Sequence, residues 1–408
     1  MRVLILSCTI LLLILGIRYV LYFQSLKTYR VGDVLKREIT LLTEPKVSSY
    51  YQTFKIDSIT VEAPTYPEFH YGDTLLIQGN VEDGSFQAAN GKVVSRLAIK
   101  NPQITLQKTN FLVGSAAYFR NRIEETFNAY LPKNEAVLLF GVVFGGSQGF
   151  SQDYYQAFKN AGVLHVIAAS GMNVTMVAAF LISFLSLFLK RQVALGMAAS
   201  GIFYYALLSG FQASILRAGI MAGIAFGAGM LGRQNYAFFG LLLTAYIMLF
   251  IKPETMFDVG FLLSFSATFG ILTVKPLLDP IWIIKKTKGF SDDITTSVSA
   301  QIGSIPVMVG AFGAYSVISI LVNALVLWTI PLLMILGGIA ALCAITVPFV
   351  SVVFLYLSYP LLLYFEKVVL FFGKIPMIQL DNIPIVLWIG YYLILVSIIL
   401  WLKKVKHS

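Results

Sequence analysis

From residue 135 to residue 402 this sequence is a succession of apolar segments, and no other feature constrains the fold as tightly. A chain carried into hydrocarbon must satisfy its own backbone N–H and C=O groups, so such segments fold as helices. The runs fall at 135–149, 162–189, 193–209, 211–231, 236–251, 257–275, 297–312, 316–345, 347–373 and 384–402. Several are shorter than the ~20 residues of a spanning helix, and 135–149 and 297–312 read as broken or re-entrant. Only 12% of the 408 residues are charged, against roughly a quarter in soluble domains, so most of the chain is expected in a membrane. The expectation is a polytopic α-helical membrane protein of about nine to eleven helices. No internal repeat points to an inverted-repeat transporter.

The first 134 residues are organised differently. Residues 1–23 contain one apolar run, broken by Arg18, with no small-residue cleavage site; they read as an uncleaved first transmembrane helix. Residues 24–110 alternate β-branched and polar residues between turn signals such as Asp83-Gly84, Asn90-Gly91 and Asn101-Pro102. Several short strands in a stretch of this size match a small all-β OB-like domain inserted after the first helix. OB folds bind single strands through aromatic and basic side chains. Candidates here are Tyr50, Tyr51, Phe54, Lys55, Phe86, Lys92 and Arg96, though the same aromatics would serve equally as core. Thirteen Lys/Arg against eleven Asp/Glu in residues 24–134 make a weak electrostatic funnel. Residues 111–133 form an amphipathic helix. Its apolar face (Leu112, Ala116, Phe119, Ile123, Phe127) suits either the headgroup plane or the β domain, and the headgroup plane is preferred. Residues 134–408 are then the polytopic domain. The basic tail Lys403, Lys404 and Lys406 favours a cytoplasmic C-terminus, with the β domain on the outer side.

Polar residues inside the apolar runs mark the candidate site. His165, Ser170, Gly171, Asn173 and Thr175 do not fall on one helical face. A helix interrupted near Ser170-Gly171 and lining a cavity accounts for them; so does a buried helix with back-bonded hydroxyls. Arg217 shares a face with Gly210 and Ser214, while Gly219, Gly223 and Gly227 form a small-residue ridge opposite. Arg217 either faces a polar passage or pairs with Asp258, which itself sits where a helix N-terminus favours a carboxylate. Ser264, Ser266 and Thr268 follow it. Ser297, Gln301 and Ser304 form one polar stripe, and Ser316, Ser319 and Asn323 another. These are walls of a wet passage or polar glue between helices, with the passage preferred.

The chemistry that is missing narrows the function classes. No Ser-His-Asp set, acid pair or Walker A lysine motif is present, so neither an enzyme nor an ATPase is expected. The histidines are His70, His165 and His407, and neither HxHxDH nor HExxH occurs; no metal or cofactor is expected. Cys8 and Cys343 read as apolar packers. The net charge of +10 suits anionic lipid headgroups and nucleic acid alike.

Four stretches resemble, in order, signatures of the ComEC family of competence proteins. They are Ala161-Gly162-Val163-Leu164-His165 with Ala168-Ala169-Ser170-Gly171; Ser214-Ile215-Leu216-Arg217-Ala218; DVGFLLSF at 258–265; and Gln301 to Pro306, followed by Phe312, Asn323 and Pro331. The resemblance covers residues 1–345. It implies a bacterial inner-membrane channel that carries single-stranded DNA into the cytoplasm during natural transformation. It carries over His165, Ser170, Gly171, Arg217 and Asn323, with Asp258 and Gln301 more weakly. Separate motor or DNA-binding proteins are implied as partners beside membrane lipids. Many family members have His where Asn173 stands. Many also continue into a metallo-β-lactamase-like domain that degrades the other strand, whereas this chain stops at Ser408; the resemblance then implies a conduit relying on a separate nuclease. The alternatives are a permease for a small anionic or lipid-linked substrate, with Arg217 as counter-charge, and a membrane enzyme built on His165 and Asp258.

Overall fold

The computed structural model of the protein describes residues 2–25, 29–48, 50–56, 59–87, 93–94, 96–146, 149–167, 171–230, 232–234, 236–279, 288–380 and 384–407. The chain divides into two compact units, one of residues 20–123 and one of residues 1–19 with 124–408. Helix α1 (Arg2–Ser25) opens the chain.

In the smaller unit the strands are β1 (Val34–Thr40), β2 (Lys46–Val47), β3 (Tyr51–Ile56), β4 (Ile59–Pro64), β5 (Thr74–Asn80), β6 (Glu82–Asp83), β7 (Phe86–Gln87), β8 (Val93–Val94), β9 (Leu97–Lys100) and β10 (Gln103–Gln107). They form a three-stranded sheet β1-β5-β10, a five-stranded sheet β2-β3-β4-β9-β6 and the pair β7-β8. The ladders are antiparallel apart from β4 with β9. The period-two pattern of a strand decides which residues meet. In β3, Gln52, Phe54 and Ile56 point inward, while Tyr51, Thr53 and Lys55 alternate with them. Leu35, Leu75 and Ile77 of one sheet join Phe54, Ile56, Ile59, Val61 and Ile99 of the other in one core. Gly79 lets the sheets approach, since a Cβ there would strike Ile99. The buried Gln52 is fully used: Nε2 donates to the Pro64 and Pro67 carbonyls, and Oε1 accepts from Phe69 N–H.

Helix α2 (Phe111–Tyr130) starts where the Asn110 side chain accepts from Leu112 N–H. Its first turns lie on the β strands: Gly72 has φ +92° and no room for a Cβ beside Ala117, and Thr109 donates to the Gly72 carbonyl. Ala116 and Ile123 are buried there, and Arg120 lies over the Tyr71 ring. The apolar face that the sequence assigns to lipid headgroups is thus covered by protein in this part of the helix, while Phe111, Leu112 and Tyr118 are exposed.

The larger unit contains α3 (Lys133–Phe144), α4 (Gln152–Ala161), α5 (Leu164–Ile167), α6 (Gly171–Leu185), α7 (Arg191–Leu208), α8 (Ala213–Met230), α9 (Ala237–Ile251), a 3₁₀ turn at Pro253–Phe257, α10 (Val259–Thr273), α11 (Lys275–Leu278), α12 (Lys288–Phe312), the short pair β11 (Ala314–Tyr315) and β12 (Ile378–Gln379), α13 (Ser319–Val326), α14 (Thr329–Thr346), α15 (Pro348–Phe372) and α16 (Ile385–His407). Among the described residues five helices are long and apolar enough to cross a membrane: 164–185, 259–278, 294–312, 329–346 and 348–372. Four more apolar helices are shorter, at 9–25, 213–228, 237–251 and 386–402. Nine to eleven helices are expected from the sequence; five of the described helices have the length and apolarity to cross a membrane. Large apolar side chains such as Leu187, Phe188, Phe349 and Val386 stand on the outside of the unit.

Two close contacts organise the unit. At the α10–α12 crossing, Gly270 and Gly303 touch backbone to backbone; a Cβ on Gly270 would collide with the Ser299 carbonyl, and one on Gly303 with the Ser266 carbonyl. Three residues on, Pro306 has no N–H to offer the carbonyl four residues back. Tyr391 of α16 donates to that carbonyl, Ile302 O, at 2.7 Å, and Tyr392 to Gly303 O at 2.9 Å. The small-residue ridge expected on α8 does not act this way. Nothing lies within 4 Å of a Cβ on Gly223 or Gly227, and Gly219 meets only Ile202.

Gly303→Ala should lower stability in detergent by about 1–3 kcal/mol, the usual cost of overpacking. Gly223→Ala should be neutral or stabilise by up to ~1 kcal/mol through helix propensity. Thermal unfolding of both variants beside the parent measures the difference. Equal melting of the two would refute the backbone contact at the crossing.

Candidate functional site

Three of the four sequence stretches meet at one junction. Arg217 of α8 donates from Nε to Ser264 Oγ of α10 at 2.7 Å and from Nη1 to Met221 Sδ at 3.6 Å. Its Nη2 lies against Gly171, the first residue of α6, where a Cβ would come within 2.8 Å. The guanidinium occupies the space a side chain at 171 would take, so a Cβ there would displace it. Arg217 is partly buried, and among the described residues no carboxylate pairs with it. A cation without a counter-charge among apolar helices costs a few kcal/mol on insertion scales. Ser264 is held in turn, since Thr268 Oγ1 donates to its carbonyl.

The pairing of Arg217 with Asp258 is not what the structure builds. Asp258 is exposed, and its Oδ1 accepts from Phe261 N–H at 2.7 Å as the N-cap of α10. Helix capping fully explains this carboxylate.

Asn173 is buried, and its Nδ2 donates to Val142 O at 2.7 Å. Tyr205 of α7 donates to Val143 O at 2.6 Å and hydrogen-bonds Asn173 as well. Together they satisfy the last turn of α3, whose carbonyls have no helical partner beyond Gly145 (φ +82°) and Gly146. Asn173 therefore pins a helix end. Tyr205 gave no signal in the sequence because nothing distinguishes it from other aromatics in an apolar run.

The first and fourth stretches meet at a separate contact. Gly162 takes the left-handed conformation (φ +73°) at the end of α4, and a Cβ there would overlap Ser319. Ser316 donates to the Asn160 carbonyl and Ser319 to the Ser316 carbonyl. His165 on α5 is exposed. Gln301 Oε1 accepts from Tyr315 O–H at 2.6 Å. Ser297, Ser304, Ser316, Ser319 and Asn323 are all buried, and Asn323 Oδ1 has no hydrogen-bond partner. Within the two polar stripes the Ser304, Ser316 and Ser319 hydroxyls thus find acceptors one turn away or on a neighbouring segment.

In the β unit, Phe54 is a correction. It is 7% exposed and packs edge-to-face on Phe69 in the core, so it presents no face to a base. Arg96 is bound to Glu62 and to the Gly84 carbonyl. Tyr51 and Lys55 remain exposed, as does Tyr50 at 87%. Ser170 and Lys92 lie outside the described residues.

The arrangement defines a multi-helix protein with a β unit near its N-terminus and, where three helices meet, an arginine that no carboxylate among the described residues pairs with. Residues 142–405 match the family described as Competence protein, so the chain belongs to the competence protein family. Over 208 residues it is 26% identical to ComE operon protein 3 of Bacillus subtilis (strain 168), an alignment taking in 50% of this chain and 26% of that protein. The chain thus spans about a quarter of the length of the curated relative it matches. No solved structure matches.

Tyr205→Phe should destabilise the protein by about 1–3 kcal/mol, because Val143 O then loses its partner in an apolar setting. Thermal unfolding in detergent checks it; an unchanged midpoint would mean that this carbonyl finds water.

Proposed function

We propose that the chain forms the membrane-embedded conduit of a DNA-uptake system and passes single-stranded DNA across the cytoplasmic membrane during transformation. Family membership supplies the process. The apolar exterior and the five long helices support a multi-pass membrane protein. The observation that carries the reading is Arg217, a cation held only by neutral groups from α8 and α10. Its role in this reading is to meet backbone phosphates one at a time. A guanidinium suits that work because it stays charged and presents several donors in a fixed fork. Neutral neighbours, the Ser264 hydroxyl and the Met221 thioether, leave that charge available, where a carboxylate would cancel it. Exposed Tyr50, Tyr51 and Lys55 are the stacking and charge groups the β unit offers a single strand. Motor, nuclease and the side of the membrane on which the β unit lies are further parts of this proposal.

Arg217→Ala should cut transformation on the order of tenfold or more at unchanged protein level, as removal of a charge-assisted contact of ~1.5–3 kcal/mol predicts. Arg217→Lys should recover part of it. Loss of small-anion uptake with transformation intact would favour a permease instead and overturn the DNA reading.

A further inference from the structure

The Arg217 junction occupies one end of a group of helices, and the opposite end carries a different chemistry. Gly201 of α7 lies against Leu181 of α6, and Gly219 of α8 against Ile202 of α7, so α6, α7 and α8 are successive antiparallel neighbours. Phe238, at the start of α9, meets the ring of Phe269, far along α10, at 6.2 Å, so α9 and α10 are antiparallel as well. Arg217 and Ser264 lie near the N-termini of α8 and α10, and Gly171 is the first residue of α6. These three helices therefore start together at the Arg217 end and finish together at the other. With 18 residues α8 is about 27 Å long, close to the ~30 Å of a bilayer's hydrocarbon core.

Each of the three is followed by positive charge. Lys190 and Arg191 close the turn between α6 and α7, Arg233 lies in the α8–α9 connection, and Lys275 follows α10. Lys190, Arg191 and Arg233 are exposed, and among the described residues none of them forms a salt bridge. No Asp or Glu occurs in the sequence between Asp153 and Glu254, so α6 to α9 contain nothing to neutralise them; Asp279, beyond Lys275, is the acid at this end. The Arg217 end differs: Lys252 is paired with Glu254 at 2.7 Å, and Asp258 caps α10. A helix C-terminus favours a cation but offers only about half an elementary charge, which leaves these side chains open to an anion.

Apolar surface runs into the same end. Phe180, Phe184 and Phe188 form a ladder along the outside of α6, with ring centroids 5.9 and 5.5 Å apart, and Phe188, 73% exposed, stands just before Lys190. Tyr236, 67% exposed, takes the corresponding place before α9. Long basic side chains reach for headgroups while aromatic rings sit at the boundary of the hydrocarbon. A nucleic-acid strand would supply the phosphates but nothing to cover the ladder, so a lipid is the better fit.

We propose that this end of the α6–α10 helices is a binding surface for anionic phospholipids. Lys190, Arg191 and Arg233 hold the headgroup phosphate, and the Phe180–Phe184–Phe188 ladder meets the acyl chains. The inference rests on the membrane-embedded reading above. Cations gather at the cytoplasmic leaflet, where acidic lipids give a negative surface potential, so this surface marks the cytoplasmic side and Arg217 lies in the outer half of the bilayer. A strand arriving from outside then meets Arg217 early in its passage.

The test uses the whole chain purified in detergent, with phosphatidylglycerol or phosphatidylcholine added and the retained lipid counted by native mass spectrometry. The parent should retain phosphatidylglycerol in preference. The triple variant Lys190→Gln, Arg191→Gln, Arg233→Gln should lose that preference by about fivefold per cation removed, as ~1 kcal/mol per Lys or Arg near an anionic surface implies. Arg233→Gln alone should show the single step. Lys252→Gln, which removes a charge at the opposite end, should leave the preference unchanged, and thermal unfolding checks that each variant is folded. In cells, Ser186→Cys, in a chain whose two native cysteines are replaced by Ala, should be shielded from a membrane-impermeant maleimide until the cells are permeabilised. Equal retention of the two lipids by the parent, or a preference that survives in the triple variant, overturns the proposal. So does binding of a single-stranded oligonucleotide that the triple variant abolishes while phosphatidylglycerol is retained as before, since the cations then serve nucleic acid. Labelling of Ser186→Cys from outside intact cells overturns the assignment to the cytoplasmic leaflet. Absence of the chain from the membrane fraction would defeat the membrane-embedded reading itself, so the two failures are told apart.

Discussion

A backbone carbonyl left without its N–H inside an apolar bundle must find another donor, and much of the larger unit is arranged around that requirement. Each unmet buried group costs about 1–3 kcal/mol, more where no water can enter. Pro306 creates one such carbonyl in α12, and α16 supplies Tyr391 to meet it. The last turn of α3 exposes others, and Asn173 and Tyr205 meet those. Arg18 of α1 donates to Phe250 O at the end of α9, where the helix dipole also favours a cation. The polar side chains of this unit are therefore distributed according to where helices break or end.

That distribution changes what a polar residue in an apolar segment means. Asn173, Ser316 and Ser319 have their donors committed to backbone oxygens. Once these are set aside, what remains is a short list of groups whose capacity exceeds their partners. Arg217 has five N–H donors, and a hydroxyl and a thioether to receive them. Tyr154 has a buried hydroxyl and nothing to receive it. Excess capacity is a sharper criterion than polarity, because folding alone accounts for a satisfied group and does not account for an unsatisfied one.

The sequence was legible where local patterns decide. The strands within 24–110, the helix N-terminus at Asp258 and the helix beginning at 111 all appear where they were read. The stretches around Gly171 and Arg217, and the hydroxyl at Ser264, do come together. What the sequence did not disclose depends on which helix lies against which. The glycine repeat of α8 looks like a packing ridge and packs against almost nothing, whereas the isolated Gly270 and Gly303, with no repeat to flag them, carry the closest contact. Phe54 reads equally as stacking surface or core until the sheets are placed. Glu366 did carry a signal, as a carboxylate within the apolar run LLLYFEKVVLFF, but Asn134, whose amide donates to it, lies 232 residues away in sequence and only the fold supplies it.

Helix α3 is tied to its neighbours at both ends. Glu135 is in its first turn; Val142 and Val143, at its other end, are held by Asn173 and Tyr205. Asn173 lies two residues beyond Gly171, the position against which the Arg217 guanidinium rests. A helix of 12 residues is about 18 Å long and nearly incompressible along its axis. Its two ends are therefore held at a fixed separation, one against α15 and the other against α6 and α7.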